Sequence, residues 1–203
     1  TVEPGGIRFG LVAIKNIGRG FIQSVVRERE QGGDFASLQD FCERMYDCGD
    51  MNKRAVENLI RSGAFDSTGA RRSQLLAVYE KVLDGIGNVR KRNVEGQIDF
   101  FGMSAANSTV ETVVMPDIPE VTATERMSME RETAGLYLSG HPMVGYRAAA
   151  RSSGAVTLNE ILEDVSSEEG PTRFADGMPV TVAGIVASSK TRPTKNGSLM
   201  AYV

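Results

Sequence analysis

Apolar positions in the first half of the chain recur at helical spacing, in short blocks punctuated by glycine. Leu11 and Ile14 lead into Asn16-Ile17-Gly18. Phe21, Ile22, Val25 and Val26 follow on one helical face, which stops near Gln31-Gly32-Gly33. The pattern predicts two short helices joined by a tight hairpin, with Asn16, Gly18 and Gly20 as residues that tolerate positive φ. A further block, Leu38, Phe41, Cys42 and Met45, follows Ser37, which stands three residues before Asp40 in a capping-box-like arrangement. Asn52 is placed to cap a helix from Lys53 to Ser62 that turns Val56, Leu59 and Ile60 inward, and Gly63 ends it. After the short turn Ala64-Phe65-Asp66, Thr68 is placed to cap a longer helix reaching about Asp84, with Leu75, Leu76, Tyr79, Val82 and Leu83 on its face. Helix, glycine-containing turn, helix thus occurs twice, the second time as a degenerate copy.

The pattern changes at Gly85. Residues 85–124 hold Gly85, Gly87, the basic run Arg90-Lys91-Arg92 and a polar stretch with two prolines, and they read as one long loop. Within it Ile98, Phe100, Phe101 and Met103 are too apolar for an idle solvated loop; they either fold back or dock on a partner. Residues 125–138 read as a charged helix with Met129, Thr133, Leu136 and Tyr137 as its apolar side, broken at Ser139-Gly140-His141-Pro142. Short helices are expected over 144–151 and 156–164. Residues 179–189 then alternate as a strand, Asn196-Gly197 signals a hairpin, and 199–203 begin the return strand of what would be a small antiparallel barrel. The expected fold is mainly α: a tandem helix-hairpin-helix domain over 1–86, an extended loop over 87–124, connecting helices over 125–152, and a partial β segment, the start of an OB-fold, over 153–203.

Chemistry enters at the turns. A hairpin that opens a helix leaves backbone N–H groups unpaired at the helix N-terminus, and with the helix dipole these suit a phosphate. Lys15 and Arg19 flank the first hairpin and add charge without reading a base. The residues fit a helix-hairpin-helix that grips nucleic-acid backbone irrespective of sequence; they also fit an ordinary αα-hairpin with a solvated basic turn. Arg71 and Arg72 lie in the first turn of the long helix, where positive charge opposes the dipole unless an anion visits; the alternative is a pair of solvated arginines. Lys190, Arg192 and Lys195 surround the last hairpin and would suit single-strand backbone contacts.

Composition narrows the classes. Lys and Arg number 23 against 26 Asp and Glu, a net charge of −3, so the chain is no polycationic DNA coater and any contact comes from local patches. Cys42 and Cys48 lack a zinc-type partner set and read as reduced thiols. The single histidine, His141, reads as a capping or packing residue. No nucleophile elbow and no strand-borne carboxylate pair for two metal ions is visible, so we expect no catalytic residues, metal or cofactor. No apolar run is long enough for a membrane span and no signal peptide opens the chain, so the expectation is cytoplasmic and without membrane partners. The absence of an initial Met and the stop at Val203 in a strand-like run suggest a piece of something longer.

Four signatures in order carry a resemblance. They are Ile7-Arg8-Phe9-Gly10-Leu11-Val12-Ala13-Ile14-Lys15-Asn16-Ile17-Gly18; Met51-Asn52-Lys53-Arg54 with Gly63-Ala64-Phe65-Asp66; Gly135-Leu136-Tyr137-Leu138-Ser139-Gly140-His141-Pro142; and Thr194-Lys195-Asn196-Gly197 with Met200-Ala201. Together they resemble the bacterial C-family replicative polymerases, the DNA polymerase III alpha subunits. The resemblance implies a piece lying after the catalytic palm and fingers, with the family's catalytic aspartates in a domain this chain does not contain. It implies that Lys15, Asn16, Ile17, Gly18, Arg19 and Gly20 hold the backbone of duplex DNA; the family often has Gly where this chain has Asn16. Gln97, Ile98, Asp99, Phe100 and Phe101 are similar to the family's internal sliding-clamp-binding peptide (Gln, any residue, Asp or Ser, Leu, Phe), with Phe100 in place of Leu. The implied partners are double-stranded DNA, the sliding clamp, other holoenzyme subunits and, through a complete OB domain, single-stranded DNA. Two other readings remain at this point. One is an autonomous helix-hairpin-helix nuclease or repair protein; the other is a structural spacer whose loop packs internally.

Overall fold

Lys15 donates its backbone N–H to the carbonyl of Thr133 at 2.9 Å, and this long-range bond shapes the start of the chain. A computed structural model describes residues 2–3, 6–7, 10–49, 51–94, 112–168 and 170–203. Val2–Glu3 (β1) pairs antiparallel with Gly6–Ile7 (β2). Leu11–Ala13 then forms a single 3-10 turn rather than the expected first helix. Ile14 N–H closes that turn on Leu11, and the next amide, Lys15, leaves the chain for Thr133, so no helix propagates. Asn16 turns the backbone with φ 62°, and α1 runs Arg19–Gly32. Of the three residues expected to use positive φ, only Asn16 does so; Gly18 has φ −73° and Gly20 lies within α1.

The next helices follow the apolar pattern. Ser37 Oγ accepts from Asp40 N–H to cap α2, Leu38–Met45, whose buried side is the expected Leu38, Phe41, Cys42 and Met45. Asp40 reaches back to the amide of Ala36 at 2.9 Å, one residue before the cap. Arg44 crosses to α1 and donates to the carbonyls of Glu28 and Gly33, satisfying that helix's C-terminus. Asn52 caps α3, Lys53–Arg61, which buries Val56, Leu59 and Ile60, and Gly63 reverses the chain at φ 86°. The ring of Phe41 meets Phe21, Phe35 and Phe65 edge-on, joining α1, α2 and the turn after α3 in one core. Burying each such ring contributes about 1.5–3 kcal/mol. Cys42 is fully buried in this core, which pushes its thiol up to about 12, with Glu43 adding to the rise.

Helix α4, Arg72–Val94, corrects the sequence reading twice. It does not begin at Thr68, whose hydroxyl donates to the carbonyl of Phe65 inside the 3-10 turn Asp66–Thr68. It also does not stop near Asp84, because Ile86 is 1% exposed and draws the helix onward through both glycines. Gly87 is a close-approach site: a Cβ there would lie 2.7 Å from the Tyr46 hydroxyl. The expected domain boundary after residue 86 therefore falls inside a helix.

Residues 112–121, expected to belong to a loop, form a strap on this core. Val113 and Met115 pack against it, Val113 N–H donates to Gln39, and Gln74 donates to the carbonyl of Pro116. A capping box between Thr122 and Glu125 then opens α5, Ala123–Ala134. Gly135 at φ 76° ends α5 earlier than the sequence reading, leaving Leu136 and Leu138 exposed beyond it. The buried side of α5 is Glu130 and Thr133. Among the described residues no helix is long and apolar enough to cross a membrane.

The chain divides into two units, 1–139 and 140–203. In the second, His141 Nδ1 accepts from Met143 N–H and caps the 3-10 turn Pro142–Tyr146, the capping role expected of it. Helices α6, Arg147–Ser152, and α7, Leu158–Val165, follow, the latter opened by a Thr157–Glu160 capping box. Residues 179–189 are not a ladder strand; the described hydrogen bond to this stretch runs from Val156 N–H to the carbonyl of Thr181. The paired strands are β3, Lys190–Pro193, and β4, Leu199–Tyr202, joined at Asn196-Gly197 as expected.

Asp164 at the end of α7 gathers the amides of Thr172, Arg173 and Phe174 and the Thr172 hydroxyl. Desolvation would raise its pKa, but the hydrogen bonds from Phe174, Arg173 and Thr172 outweigh it and hold the carboxyl at about 2. A lowered folded-state pKa means that these bonds persist above the ordinary carboxylate range and are lost as pH falls through about 2. Amide NMR should therefore show Thr172, Arg173 and Phe174 unmoved from about pH 7 to about pH 4, then shifting together near pH 2. Asp164→Asn should move all three at neutral pH.

Candidate nucleic-acid interface

The first hairpin ends in a helix terminus with nothing of its own to fill it. Gly18 is the N-cap of α1 and has no side chain to accept from the first amides. The helix's hydrogen bonding starts with Ile22 N–H on the carbonyl of Gly18, so the amides of Arg19, Gly20 and Phe21 precede it. Lys15 and Arg19 are exposed on either side of the turn, and Ile17 packs half-buried against the core. Both backbone groups of Lys15 are held from outside: Thr133 accepts its N–H, and Asn58 Nδ2 donates to its carbonyl at 2.8 Å. Exposed cations, helix-terminal amides without a side-chain cap and a left-handed residue thus coincide over 15–20. That arrangement can receive an anion with tetrahedral oxygens.

The second hairpin differs at the same place. The N-terminus of α4 is filled by the carboxylate of Glu120, which accepts from Arg72 N–H at 3.0 Å and Ser73 N–H at 3.2 Å. Burial would raise the pKa of Glu120, but the amides of Val121, Ser73 and Arg72 hold it below the usual carboxylate range. Arg72 is 4% exposed; its guanidinium makes a bidentate pair with Asp66 and a 3.1 Å ion pair with Glu130, itself fully buried. Arg71 pairs with Asp117 and donates to the carbonyl of Ile118 at 2.7 Å. The anions that these arginines favour are thus carboxylates of the same chain. For Arg72 this is a correction of the DNA-contact expectation, since a phosphate has no access to a buried guanidinium. Arg71 remains half-exposed but is tied to the strap.

A helix-hairpin-helix motif family matches residues 1–75, which include the first hairpin and the turn after α3. The chain is 35% identical over 97% of its length to the DNA polymerase III subunit alpha of Vibrio cholerae. Against the proteins of the same name it is 33% identical over 94% of its length for Mycobacterium leprae and 33% over 96% for Thermus aquaticus. The chain belongs to the DNA polymerase III alpha-subunit family. It spans about a sixth of the length of these curated relatives, 16%, 16% and 15% of each.

Within this family segment the remaining expected residues fall as follows. Gln97, Ile98, Asp99, Phe100 and Phe101 lie outside the described residues. Lys190 and Arg192 are exposed two apart on β3, and Lys195 is exposed in the turn beside Asn196. Among the described residues no group of three or more His, Cys, Asp or Glu is arranged to hold a metal ion. Sequence reasoning missed Asn58, Glu120 and Glu130; it placed Thr133 on the inward side of its helix, where it is buried, without its carbonyl as the acceptor for Lys15. Asn58 had a visible signal, since it sits among Ala55, Val56 and Leu59 on the inward side of α3. Glu130 stands at i, i+3 to Thr133 and shares its buried face, but its charge kept it out of the apolar pattern.

The Arg72–Glu130 pair generates a stability prediction. Burning off one partner's charge leaves the other buried and unpaired, which costs about 3–5 kcal/mol. Arg72→Met and Glu130→Leu should each lower the unfolding free energy by about that amount in urea titrations. The double variant should recover part of the loss, because no buried charge is left unpaired (Asp66 is half-exposed to water), while the Leu138 and Ser139 amides still lack their acceptor.

Proposed function

We propose that this chain is a non-catalytic part of a replicative DNA polymerase, which grips duplex DNA backbone at its first hairpin and contributes a sliding-clamp contact through Gln97, Ile98, Asp99, Phe100 and Phe101. The observation that carries the DNA reading is the uncapped α1 terminus between exposed Lys15 and Arg19, inside the region matched by the helix-hairpin-helix family. Backbone amides and cations recognise phosphate and carry no base information, so the grip is independent of sequence. The corresponding place on α4 is already filled by Glu120.

The clamp reading rests on the peptide pattern and on where the segment departs and returns. It leaves at the end of α4 and rejoins the same unit where Val113 bonds to Gln39. A Gln amide and two apolar rings on an extended peptide are suited to a hydrophobic groove. Joining a weak DNA grip to a weak clamp contact raises the effective concentration of each, which supports processive synthesis. The exposed cations on β3 and its turn, Lys190, Arg192 and Lys195, are the residues through which this part would meet single-stranded DNA. Other holoenzyme subunits are the remaining partners of this reading.

Two pairs of substitutions separate the contacts. Lys15→Ala with Arg19→Ala should weaken duplex binding and flatten the plot of log affinity against log salt by about 1.8, the value for two lost phosphate contacts. An unchanged slope would remove the hairpin from the interface. Phe100→Ala with Phe101→Ala should abolish binding to a purified bacterial sliding clamp while leaving the DNA titration intact. Clamp affinity that survives this pair would refute the peptide assignment.

A further inference from the structure

The second helix-hairpin-helix copy carries a buried amide pointed at the first. Asn58 is 9% exposed on α3, and its Nδ2 donates to the carbonyl of Lys15 at 2.8 Å, across 43 residues of sequence. With Thr133 accepting the Lys15 N–H, both backbone groups of one residue are fixed by two different helices. The next residue, Asn16, holds φ 62°, a left-handed conformation that Asn tolerates better than other L-residues with a side chain. A solvated turn would sample that geometry among others, so contacts from outside the turn decide how fully it is populated. Its own segment supplies a single 3-10 turn on one side and an N-cap without a side chain on the other.

We infer that Asn58 is the positioning residue of the first hairpin: its side-chain amide holds the Lys15 carbonyl so that the turn presents Lys15, Arg19 and the α1 amides together to a phosphate. The inference rests on the phosphate-binding reading above and extends it to the second hairpin copy. That copy acts as a brace. Its own helix terminus is closed by Glu120, and its buried Asn58 reaches the turn that remains open. Asn58 touches no ligand, being buried, and contributes no charge. Its loss therefore lowers the fraction of molecules holding the competent turn and scales the affinity by that fraction. The number of phosphates neutralised in the bound state stays the same.

This gives a signature that a merely structural residue would lack. In Asn58→Ala, folded by circular dichroism, duplex affinity should fall about three- to tenfold, the size of one lost hydrogen bond. The salt slope should equal that of the unmodified chain, in contrast to the Lys15→Ala, Arg19→Ala pair. Hydrogen exchange at the Lys15 amide should quicken by a similar factor. If Asn58→Ala does not fold, Asn58→Ser takes its place, since it keeps a small polar group that is too short to reach the carbonyl. Undiminished affinity in a folded variant overturns the inference, and so does an affinity loss with a flattened slope. If the Lys15, Arg19 pair leaves the slope unaltered, the phosphate reading is what has failed. The Lys15 amide then decides the positioning role by itself: faster exchange in the variant supports it, and unchanged exchange overturns it.

Discussion

The first unit is organised around one buried ion pair. Arg72, at the start of α4, meets Glu130, in the middle of α5, with almost no exposure of either side chain. Such a pair is tolerable only when the remaining donors and acceptors are occupied. Here they are. Asp66 takes two guanidinium nitrogens, and the carbonyl of Arg61 takes a hydrogen bond from Nη1. The amides of Leu138 and Ser139 close on the other Glu130 oxygen. Burial would raise the pKa of Glu130, yet the Ser139 and Leu138 amides and Arg72 keep it below the ordinary carboxylate range, so the pair stays charged. Gly63 is required beside it: its φ is 86°, and a Cβ would collide with the Arg72 guanidinium.

From that pair the geometry passes to the hairpin in physical steps. Fixing Glu130 fixes α5, and one turn further along α5 the Thr133 carbonyl receives the Lys15 amide. Arg61 of α3 also pairs with Glu132, which ties the helix bearing Asn58 to the helix bearing Thr133. The turn at Asn16 is thus clasped by two helices that are themselves joined. A polar, exposed loop gains the precision of the core without being buried in it. This is what a backbone grip needs, because a phosphate site made of amides works only if the amides converge.

The two hairpin copies show how similar local sequence reaches opposite ends. Each sets cations beside a helix terminus, and on sequence alone each could expect an anion. The anion at α4 is Glu120, which lies 48 residues beyond Arg72 and has no local relation to it. No periodicity reveals such a bond, so the second copy was legible as a helix pair but not as a closed one. Three caps were legible because they are local: Ser37, Asn52 and His141 each accept from an amide two or three residues ahead, whereas the cap expected at Thr68 is not formed because its hydroxyl donates back to Phe65. The extent of α4 was not, because Gly85 and Gly87 weaken the helix locally while Ile86 and the Tyr46 contact decide it from outside. Residues 179–189 failed for the complementary reason: alternation marks a sequence that can be a strand, and a ladder exists only where another strand lies alongside.

Length gives the last constraint. Helix α4 has 23 residues and so spans about 34 Å. Its first turn is held by Glu120 at the far end of the strap, and its last turn leads into the segment that carries Gln97, Phe100 and Phe101. The chain therefore departs from one end of a rigid rod and is fastened again at the other. Under the proposed function, a partner bound to that segment would be tethered to the unit that carries the first hairpin, since Gln97 stands three residues beyond the end of α4. Under such a tether the second contact becomes intramolecular, and its strength depends on reach more than on intrinsic affinity. For the clamp contact proposed above, a departure such as Phe100 at the usual Leu position would then be tolerable, because that contact would not have to be tight by itself.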